Sequence, residues 1–182
     1  LNTRYVIYNP EQQPLKNPYA FGNAWFVDKL DMVDNADAEI EALNTIDPLR
    51  TAVVDKRFQE DLEGFVPQKD STATIVLEEY RPNRLTYKSK ADKEQLAVFS
   101  EVYYQPGWKA TVDGKEVPHF RADWILRGMR VPAGEHTIVF EFRPSGYVTA
   151  AYVSSYSSFL ILLLLIAAIG WSGWKYWKKS KN

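Results

Sequence analysis

A long stretch without charged side chains constrains this chain more than any other sequence feature. No Asp, Glu, Lys or Arg occurs from Pro144 to Trp174, and nine large apolar residues crowd into Phe159–Ile169. At roughly 1.5 Å per helical residue, about 20 residues cross the ~30 Å hydrocarbon core of a bilayer. The sequence therefore predicts one transmembrane helix over residues 147–177, with the lipid bilayer as a partner and the cell membrane as the location.

Aromatic residues flank this apolar run on both sides, as is typical of rings at lipid headgroup depth. They are Tyr147, Tyr152 and Tyr156 before it, and Trp171, Trp174, Tyr176 and Trp177 after it. A buried core helix is the alternative interpretation, but such helices rarely combine two aromatic belts with a terminal lysine cluster. The pattern favours the membrane span.

Lysines set the expected orientation. Lys175, Lys178, Lys179 and Lys181 all lie in the last eight residues. Positive side chains close to a span stay in the cytoplasm. We therefore expect residues 178–182 to be a basic cytoplasmic tail and residues 1–146 to be extracytoplasmic, or periplasmic in a Gram-negative cell.

Composition excludes several classes of function. Residues 1–174 carry 18 basic and 23 acidic side chains, a balance of −5, which disfavours nucleic acid as a partner. The chain has no cysteine, so disulfides and thiolate chemistry are excluded. With no phosphate-binding glycine loop or nucleophile elbow, we expect no cofactor. The chain begins at Leu1 without Met or a signal peptide, and we interpret it as a piece of a longer protein.

Short strand-like runs separated by turn residues follow one another over residues 71–146. The runs are Thr72–Tyr80, Arg84–Ser89, Gln95–Tyr104, Lys109–Val112, Lys115–Val117, Trp124–Val131 and His136–Arg143. The strongest turn signal is Asp113-Gly114, since a two-residue hairpin needs positive φ at both positions. This spacing predicts an antiparallel β-sandwich.

The first 70 residues are less regular and predict a small α/β portion packed on the sandwich. Strands are expected at Arg4–Tyr8, Ala24–Val33 and Thr51–Val54, and a helix at Asn35–Thr45. Asn35 or Asp34 would cap the helix, with Ile40 and Leu43 facing inward. The predicted fold class is mainly β (α+β), with one transmembrane α-helix after the sandwich.

Two aromatic segments invite a functional interpretation. They are Tyr103-Tyr104-Gln-Pro-Gly-Trp108 and Phe120-Arg121-Ala-Asp123-Trp124. Sugars stack their apolar faces on aromatic rings and pair their hydroxyls with polar side chains. The candidate sugar contacts are Tyr104, Trp108, Arg121, Asp123 and Trp124. As alternatives, the two tryptophans fill the core, and Arg121, Arg127 and Arg130 meet a lipid phosphate.

The alternation of residues from Trp108 onward bears on whether this tryptophan fills the core. Trp108, Ala110 and Val112 share one face, and that face is the more apolar one, which favours a core position for Trp108. His119 and His136 have no second ligand at metal-binding spacing. We therefore expect no metal site and no catalytic residue in this chain.

Several segments together resemble the C-terminal end of the YfhO family of bacterial membrane proteins. They are Asn17–Val27, Ala52–Phe58 and Leu96–Pro144, the last including Tyr-Tyr-Gln-Pro-Gly-Trp-Lys and Val-Pro-Ala-Gly-Glu-His. The resemblance implies a polytopic protein similar to GT-C glycosyltransferases, with an extracytoplasmic region before its last helix. Such enzymes transfer sugar from a polyprenyl-phosphate donor to a cell-envelope glycan or glycopolymer.

The resemblance also implies that the catalytic acid lies in an early outer loop, outside these residues. The chain is then an accessory domain and terminal helix, with a glycan or polyprenyl-phosphate sugar and the N-terminal transmembrane bundle as partners. Alternatives from other classes are a non-catalytic membrane-anchored glycan-binding module and a purely structural module.

Overall fold

A computed structural model describes residues 2–180 of the chain. The described residues divide after Phe142 into a β-rich unit and a second unit that begins at Arg143. The strands are β1 Tyr5–Val6, β2 Leu15–Lys16, β3 Ala24–Val27, β4 Lys29–Val33, β5 Thr51–Asp55, β6 Thr74–Arg81, β7 Arg84–Ala91, β8 Gln95–Val102, β9 Trp108–Val112, β10 Lys115–Val117, β11 Phe120–Ala122, β12 Leu126–Val131 and β13 Gly134–Phe142. The helices are α1 Ala36–Ala42, a 3-10 helix Lys56–Leu62 and α2 Ser145–Ser180.

Two antiparallel sheets confirm the predicted, mainly β class. One has five strands in the order β10-β9-β13-β7-β6, and the other has four in the order β11-β12-β8-β3. Apolar side chains from both sheets form a shared core between them. The five-stranded sheet contributes Leu85, Tyr87, Ala110, Val112, Ile138 and Phe140, and the four-stranded sheet contributes Ala97, Phe99, Met129 and Val131.

A third layer covers the other face of the four-stranded sheet. It consists of the parallel pair β4-β5, helix α1 and the 3-10 helix. A second core lies beneath it, where Ala52, Val54, Leu62 and Phe65 pack against Trp25, Val27, Leu96, Val98, Phe120, Ala122 and Leu126. The four-stranded sheet is therefore buried on both faces, which explains the unbroken burial of Gln95 through Phe99.

The β9–β10 hairpin confirms the turn predicted at Asp113-Gly114. Asp113 has φ +51° and Gly114 has φ +81°, the left-handed conformations that a two-residue hairpin turn requires. The Asp113 carboxylate also accepts hydrogen bonds from the Thr137 backbone N–H (2.8 Å) and the His136 ring Nδ1 (2.6 Å). These bonds tie the turn to the start of β13.

Two expected strands are interrupted. Ala24–Val33 divides at Asp28, because the backbone N–H groups of Asp28 and Lys29 both turn to donate to Arg50 O. Trp124–Val131 is shortened, because Asp123 (φ +50°) and Trp124 (φ +69°) form a left-handed turn that separates β11 from β12.

Helix α1 begins as predicted, with Asn35 as its cap: its side chain accepts from Ala38 N at 2.9 Å. The predicted inward face is wrong. Glu39 is fully buried, whereas Ile40 is 40% exposed and Leu43 is half-buried. Glu39 faces inward because its carboxylate accepts hydrogen bonds from Arg121 and from the Trp124 backbone N–H. Ile40, the next residue, is rotated outward as a consequence.

Helix α2 is long and apolar enough to cross a membrane. Within its segment Thr149–Ser180, an 18-residue window has a mean hydropathy of 2.1, and none of the residues in that window is buried by protein. Lys178 and Lys179 lie in the last turn, with the Lys178 ammonium 5.6 Å from the centre of the Trp174 ring. Lys181 of the predicted tail lies outside the described residues.

Candidate functional site

A polar cleft with aromatic walls, here called the Trp108 cleft, opens in the β-rich unit beside the start of β9. Its volume is about 550 Å³. Its lining includes Arg57, Asp61, Tyr103, Gln105, Trp108 and His119. The 3-10 helix, the β8–β9 loop and the β10–β11 loop bring these side chains together. The cleft thus combines ring faces with both donors and acceptors.

Trp108 is held at the boundary between this cleft and the core. As predicted, Ala110 and Val112 are buried on the same face of β9, and Trp108 packs against their cluster while remaining half-buried. Its ring lies 4.1 Å from the Arg127 guanidinium and 5.3 Å from the Phe142 ring centre. Trp108 is therefore consistent with both predicted roles, a core side chain and a sugar contact. It packs against the core on one side and lines the cleft on the other.

Arg127 is an interior arginine, only 2% exposed. Its Nε donates to Val102 O at 3.0 Å, and its guanidinium also lies 5.2 Å from the centre of the Phe140 ring. Burial lowers the pKa of the Arg127 guanidinium below its usual value. The hypothesis that Arg127 meets a lipid phosphate is wrong, because this side chain lies in the protein interior beneath Trp108.

The chemistry of the cleft is set by partly buried titratable groups. Burial, then the charge of Arg127, lowers the pKa of His119 to about 4, so its imidazole is neutral at physiological pH. His119 Nε2 is buried without a partner among the described residues. Burial raises the pKa of the Asp61 carboxyl. Tyr103 also lines the cleft, with its ring centre 5.7 Å from those of Phe58 and His119.

A second cavity, here called the Asp123 pocket, lies elsewhere in the β-rich unit and has a different character. It has a volume of about 310 Å³ and mostly apolar walls. The walls include Phe21, Trp25, Ile40, Leu43, Trp124 and Ile125. Asp123 is the one ionisable side chain among the described residues that line it.

Asp123 is fixed by two hydrogen bonds to β5. Its backbone N–H donates to Val53 O (2.8 Å), and its Oδ1 accepts from Val53 N (2.9 Å). The residue is 6% exposed, and its Oδ2 has no hydrogen-bond partner among residues 2–180. Burial, opposed by the Val53 bond and reinforced by the nearby Glu39 charge, raises the pKa of Asp123 to about 6.

A buried ionic cluster lies beneath the Asp123–Trp124 turn. Glu39 accepts from Arg121 Nη2 (2.5 Å) and from Trp124 N (2.9 Å). Arg121 Nη2 also lies 3.5 Å from an Asp55 carboxylate oxygen. Asp55 accepts two bonds from the Arg57 guanidinium (2.8 and 2.6 Å), which lower the pKa of the Asp55 carboxyl. Arg121 thereby links the helix α1 side of the molecule to Arg57 in the Trp108 cleft.

The structure divides the five predicted contacts between these places. Trp108 lines the Trp108 cleft, whereas Asp123 and Trp124 line the Asp123 pocket. Arg121 lies in the ionic cluster, and Tyr104 is 53% exposed beside Phe142.

Several residues of these sites are not among the five predicted contacts. They are Glu39, Asp55, Arg57, Asp61, Tyr103, Gln105 and His119. Tyr103 could have been preferred to Tyr104 had β8 been ended at Val102, since Tyr103 then begins the loop. Glu39 and Asp55 carried no local signal of their pairing, because their partner Arg121 lies more than 65 positions away in sequence.

Among the described residues, no group of three His, Asp or Glu side chains is arranged as metal ligands. Comparison with known families gave one match: the family model described as "Bacterial membrane protein YfhO" matches residues 59–154, just over half of the chain. That range runs from the 3-10 helix to the start of α2 and contains Trp108 and Asp123. No curated protein and no solved structure matches the chain.

Proposed function

Because the chain belongs to the YfhO family of bacterial membrane proteins, we propose that its β-rich unit is the accessory domain of a polytopic, glycosyltransferase-like protein. In this proposal the unit holds a cell-envelope glycan, or the sugar of a polyprenyl-phosphate donor, in the Trp108 cleft. The transfer chemistry belongs to residues outside this chain. Helix α2 anchors the unit in the bilayer.

The lysines at the C-terminal end of α2 support the sidedness of the proposal. Lys175, Lys178 and Lys179 follow the apolar run directly. Since basic residues next to a span are retained in the cytoplasm, the β-rich unit is then extracytoplasmic, where envelope glycans are assembled. Residues 1–142 would form the outer domain and residues 143–182 the anchor and tail.

The single observation that carries the glycan assignment is the composition of the Trp108 cleft. A sugar ring needs an aromatic face for its C–H groups and hydrogen-bonding groups around its edge. The cleft supplies the half-buried Trp108 ring, with Gln105, Asp61 and Arg57 among its polar groups. A wholly apolar pocket could not pair a sugar's hydroxyls.

The remaining predicted contacts take other roles in this proposal. Arg121 is a positioning residue, because it pairs with Asp55, which in turn holds Arg57 at the cleft. Tyr104 flanks the cleft as an exposed ring that a longer glycan can reach. Asp123 and Trp124 line the other pocket and are not needed for the sugar.

Binding by the full chain in phosphatidylcholine nanodiscs tests the proposal. The probes are glucose, galactose and N-acetylglucosamine, observed by saturation-transfer NMR. Trp108→Ala should weaken binding by about 1–2 kcal/mol, the worth of an aromatic contact with its area. Trp108→Phe keeps a ring on Arg127 and should lose less. Tyr80→Ala, an exposed aromatic residue of β6, is the matched control and should bind like the unaltered chain.

A thermal melt of the same variants separates binding from folding. Trp108→Ala removes packing from a half-buried ring and exposes Arg127, so we expect a loss of about 2–3 kcal/mol, below the range for a fully buried tryptophan. If none of the three sugars gives a signal, or if Asp61→Asn and Trp108→Phe leave all signals unchanged in folded protein, the glycan assignment is wrong and the structural-module alternative stands.

A further inference from the structure

Asp61 gives the Trp108 cleft a negative charge that no described residue neutralises. It lies in the 3-10 helix, lines the cleft and is half-buried. Within residues 2–180 its carboxylate accepts no hydrogen bond and forms no ion pair. Neither carboxylate oxygen is fully buried, so a molecule in the cleft can reach both.

Tyr103 shows that the Asp61 charge acts within the cleft. The Tyr103 side chain lines the same cleft, and its pKa is raised by burial and then by the charge of Asp61. Folding also withdraws part of the water around Asp61, which raises the pKa of this carboxyl. A carboxylate that has lost water without gaining a protein donor is stabilised by a donor that a ligand supplies.

The other charged side chains that line the cleft are already matched. Arg57 pairs with Asp55 at 2.6 Å, and Lys109 pairs with Glu116 at 3.2 Å. Among the described residues that line the cleft, Asp61 therefore holds the uncompensated charge.

Two further basic side chains add no accessible positive charge. Arg127 is 2% exposed beneath Trp108, and the charge of Glu101 acts against its own. His119 is neutral at physiological pH, because burial lowers its pKa to about 4. A cation that enters the cleft is therefore attracted, and an anion is repelled.

We infer that Asp61 is the specificity-determining residue of the Trp108 cleft and selects a hexosamine with a free ammonium group over neutral and acidic sugars. This inference rests on the proposed function of the cleft as a glycan site. The ammonium offers three donors and a full charge to the Asp61 carboxylate, whereas a hydroxyl makes a weaker bond. A uronic acid is disfavoured, because its carboxylate would meet the like charge of Asp61.

The test uses glucosamine, N-acetylglucosamine, glucose and glucuronate with the full chain in phosphatidylcholine nanodiscs, titrated by saturation-transfer NMR at about pH 6.5. We expect glucosamine to bind about fivefold more tightly than glucose or N-acetylglucosamine, and glucuronate to bind most weakly. Asp61→Asn should abolish the preference for glucosamine and change the affinity for glucose by less than about twofold. Glu60→Gln, an exposed neighbour in the same 3-10 helix, is the matched control and should keep the preference.

Salt provides a second measurement that needs no variant. At about 1 M NaCl the screening length is only about 3 Å, so the preference for glucosamine should shrink while glucose binds as before. If glucose binds but glucosamine binds no more tightly, or if the preference persists undiminished in Asp61→Asn or at high salt, this inference is wrong and the glycan site stands. If none of the four sugars binds, the proposed function is wrong and the inference is wrong with it.

Discussion

At the scale of single residues, the buried Asp123 and the half-buried His119 give the β-rich unit opposite responses to acid. Asp123 has its pKa raised to about 6 by burial, and His119 has its pKa lowered to about 4 by burial. Folding therefore favours the protonated carboxyl of Asp123 and the unprotonated imidazole of His119. Over the interval from about pH 4 to pH 6 their contributions to stability oppose each other.

The direction in which each group changes the folding stability with pH follows from its pKa. Asp123 contributes stability that is complete below its unfolded pKa of 3.8 and is lost as the pH rises through about 6. His119 contributes stability that is complete above 6.5 and is lost as the pH falls through about 4. We predict that Asp123→Asn gains stability relative to the unaltered chain as the pH rises from 4 to 7.5, by about 3 kcal/mol in total.

Urea unfolding of the full chain in nanodiscs, followed by tryptophan fluorescence at several pH values, measures this difference. His119→Gln should show the opposite trend and gain as the pH falls below 6. Asp31→Asn serves as the control, since Asp31 is exposed. If the unfolding free energies of Asp123→Asn and the unaltered chain differ by the same amount at every pH, the raised pKa of Asp123 does not contribute to the pH dependence of stability.

Residue-level features were the hardest to predict from sequence. Trp124 itself gives no signal of a left-handed residue, although Asp123 before it is of a type that tolerates positive φ; the φ of +69° at Trp124 accompanies a hydrogen bond from its N–H to Glu39. Trp108 was predictable in its strand face but not in its contact with Arg127, because that pair joins β9 to β12. Such contacts depend on tertiary packing, which local patterns do not encode.

At the scale of elements, helix α1 is attached to the rest of the unit through a carboxylate. Glu39 is fully buried and accepts from Arg121 and from Trp124 N. Removing one partner of a buried ion pair leaves the other uncompensated. The helix is therefore anchored by charge where its sequence predicted an apolar face.

We predict that Glu39→Ala costs about 3–5 kcal/mol of unfolding free energy, because Arg121 and the Trp124 N–H both lose a buried acceptor. Glu39→Gln keeps an acceptor for Trp124 N and should cost less, about 1–2 kcal/mol. Glu41→Ala, an exposed acidic residue of the same helix, should change stability by less than about 0.5 kcal/mol. Urea unfolding ranks the three, and a loss in Glu41→Ala equal to that in Glu39→Ala would contradict the anchoring role.

Most elements were predictable because their signals are local. The Asn35 cap, the Asp113-Gly114 hairpin and the alternation of β13 each depend on neighbours within a few residues. The burial of β8 and β5 on both faces was not predictable, because a continuous apolar run does not say which layers cover it. The 3-10 helix was not predicted, although its cap is local: the Asp55 side chain accepts from Arg57 N, two residues further on.

At the scale of the whole molecule, the proposed topology predicts a clear difference between two reporter insertions. Alkaline phosphatase, active only outside the cytoplasm, should be active when inserted at the Asp113-Gly114 turn and inactive when fused after the last residue. The turn is exposed, so an insertion there leaves the core intact. Green fluorescent protein at the same two positions is the control and should give the reverse pattern.

Replacing the four lysines near the C-terminus with glutamine should weaken this difference, because they carry the local charge bias. Replacing Lys29, Lys69, Lys109 and Lys115 in the β-rich unit instead is the matched control and should leave the orientation unchanged. Phosphatase activity at the C-terminal fusion alone would reverse the orientation and remove the basis for an extracytoplasmic glycan site.

The doubly covered four-stranded sheet has a consequence for how the chain must be made. Its central strand β8 presents Leu96, Ala97, Val98 and Phe99 without a charged residue between them, and β5 presents Ala52, Val53 and Val54 in the same way. Until both covering layers dock, these segments are bare, flat and β-prone, the properties that template aggregation. One covering layer comes from residues before β8 and the other largely from residues after it, so the sheet is protected only once β13 has emerged. A chain cut short before β13 would therefore be a substrate for quality control and a poor scaffold for any ligand.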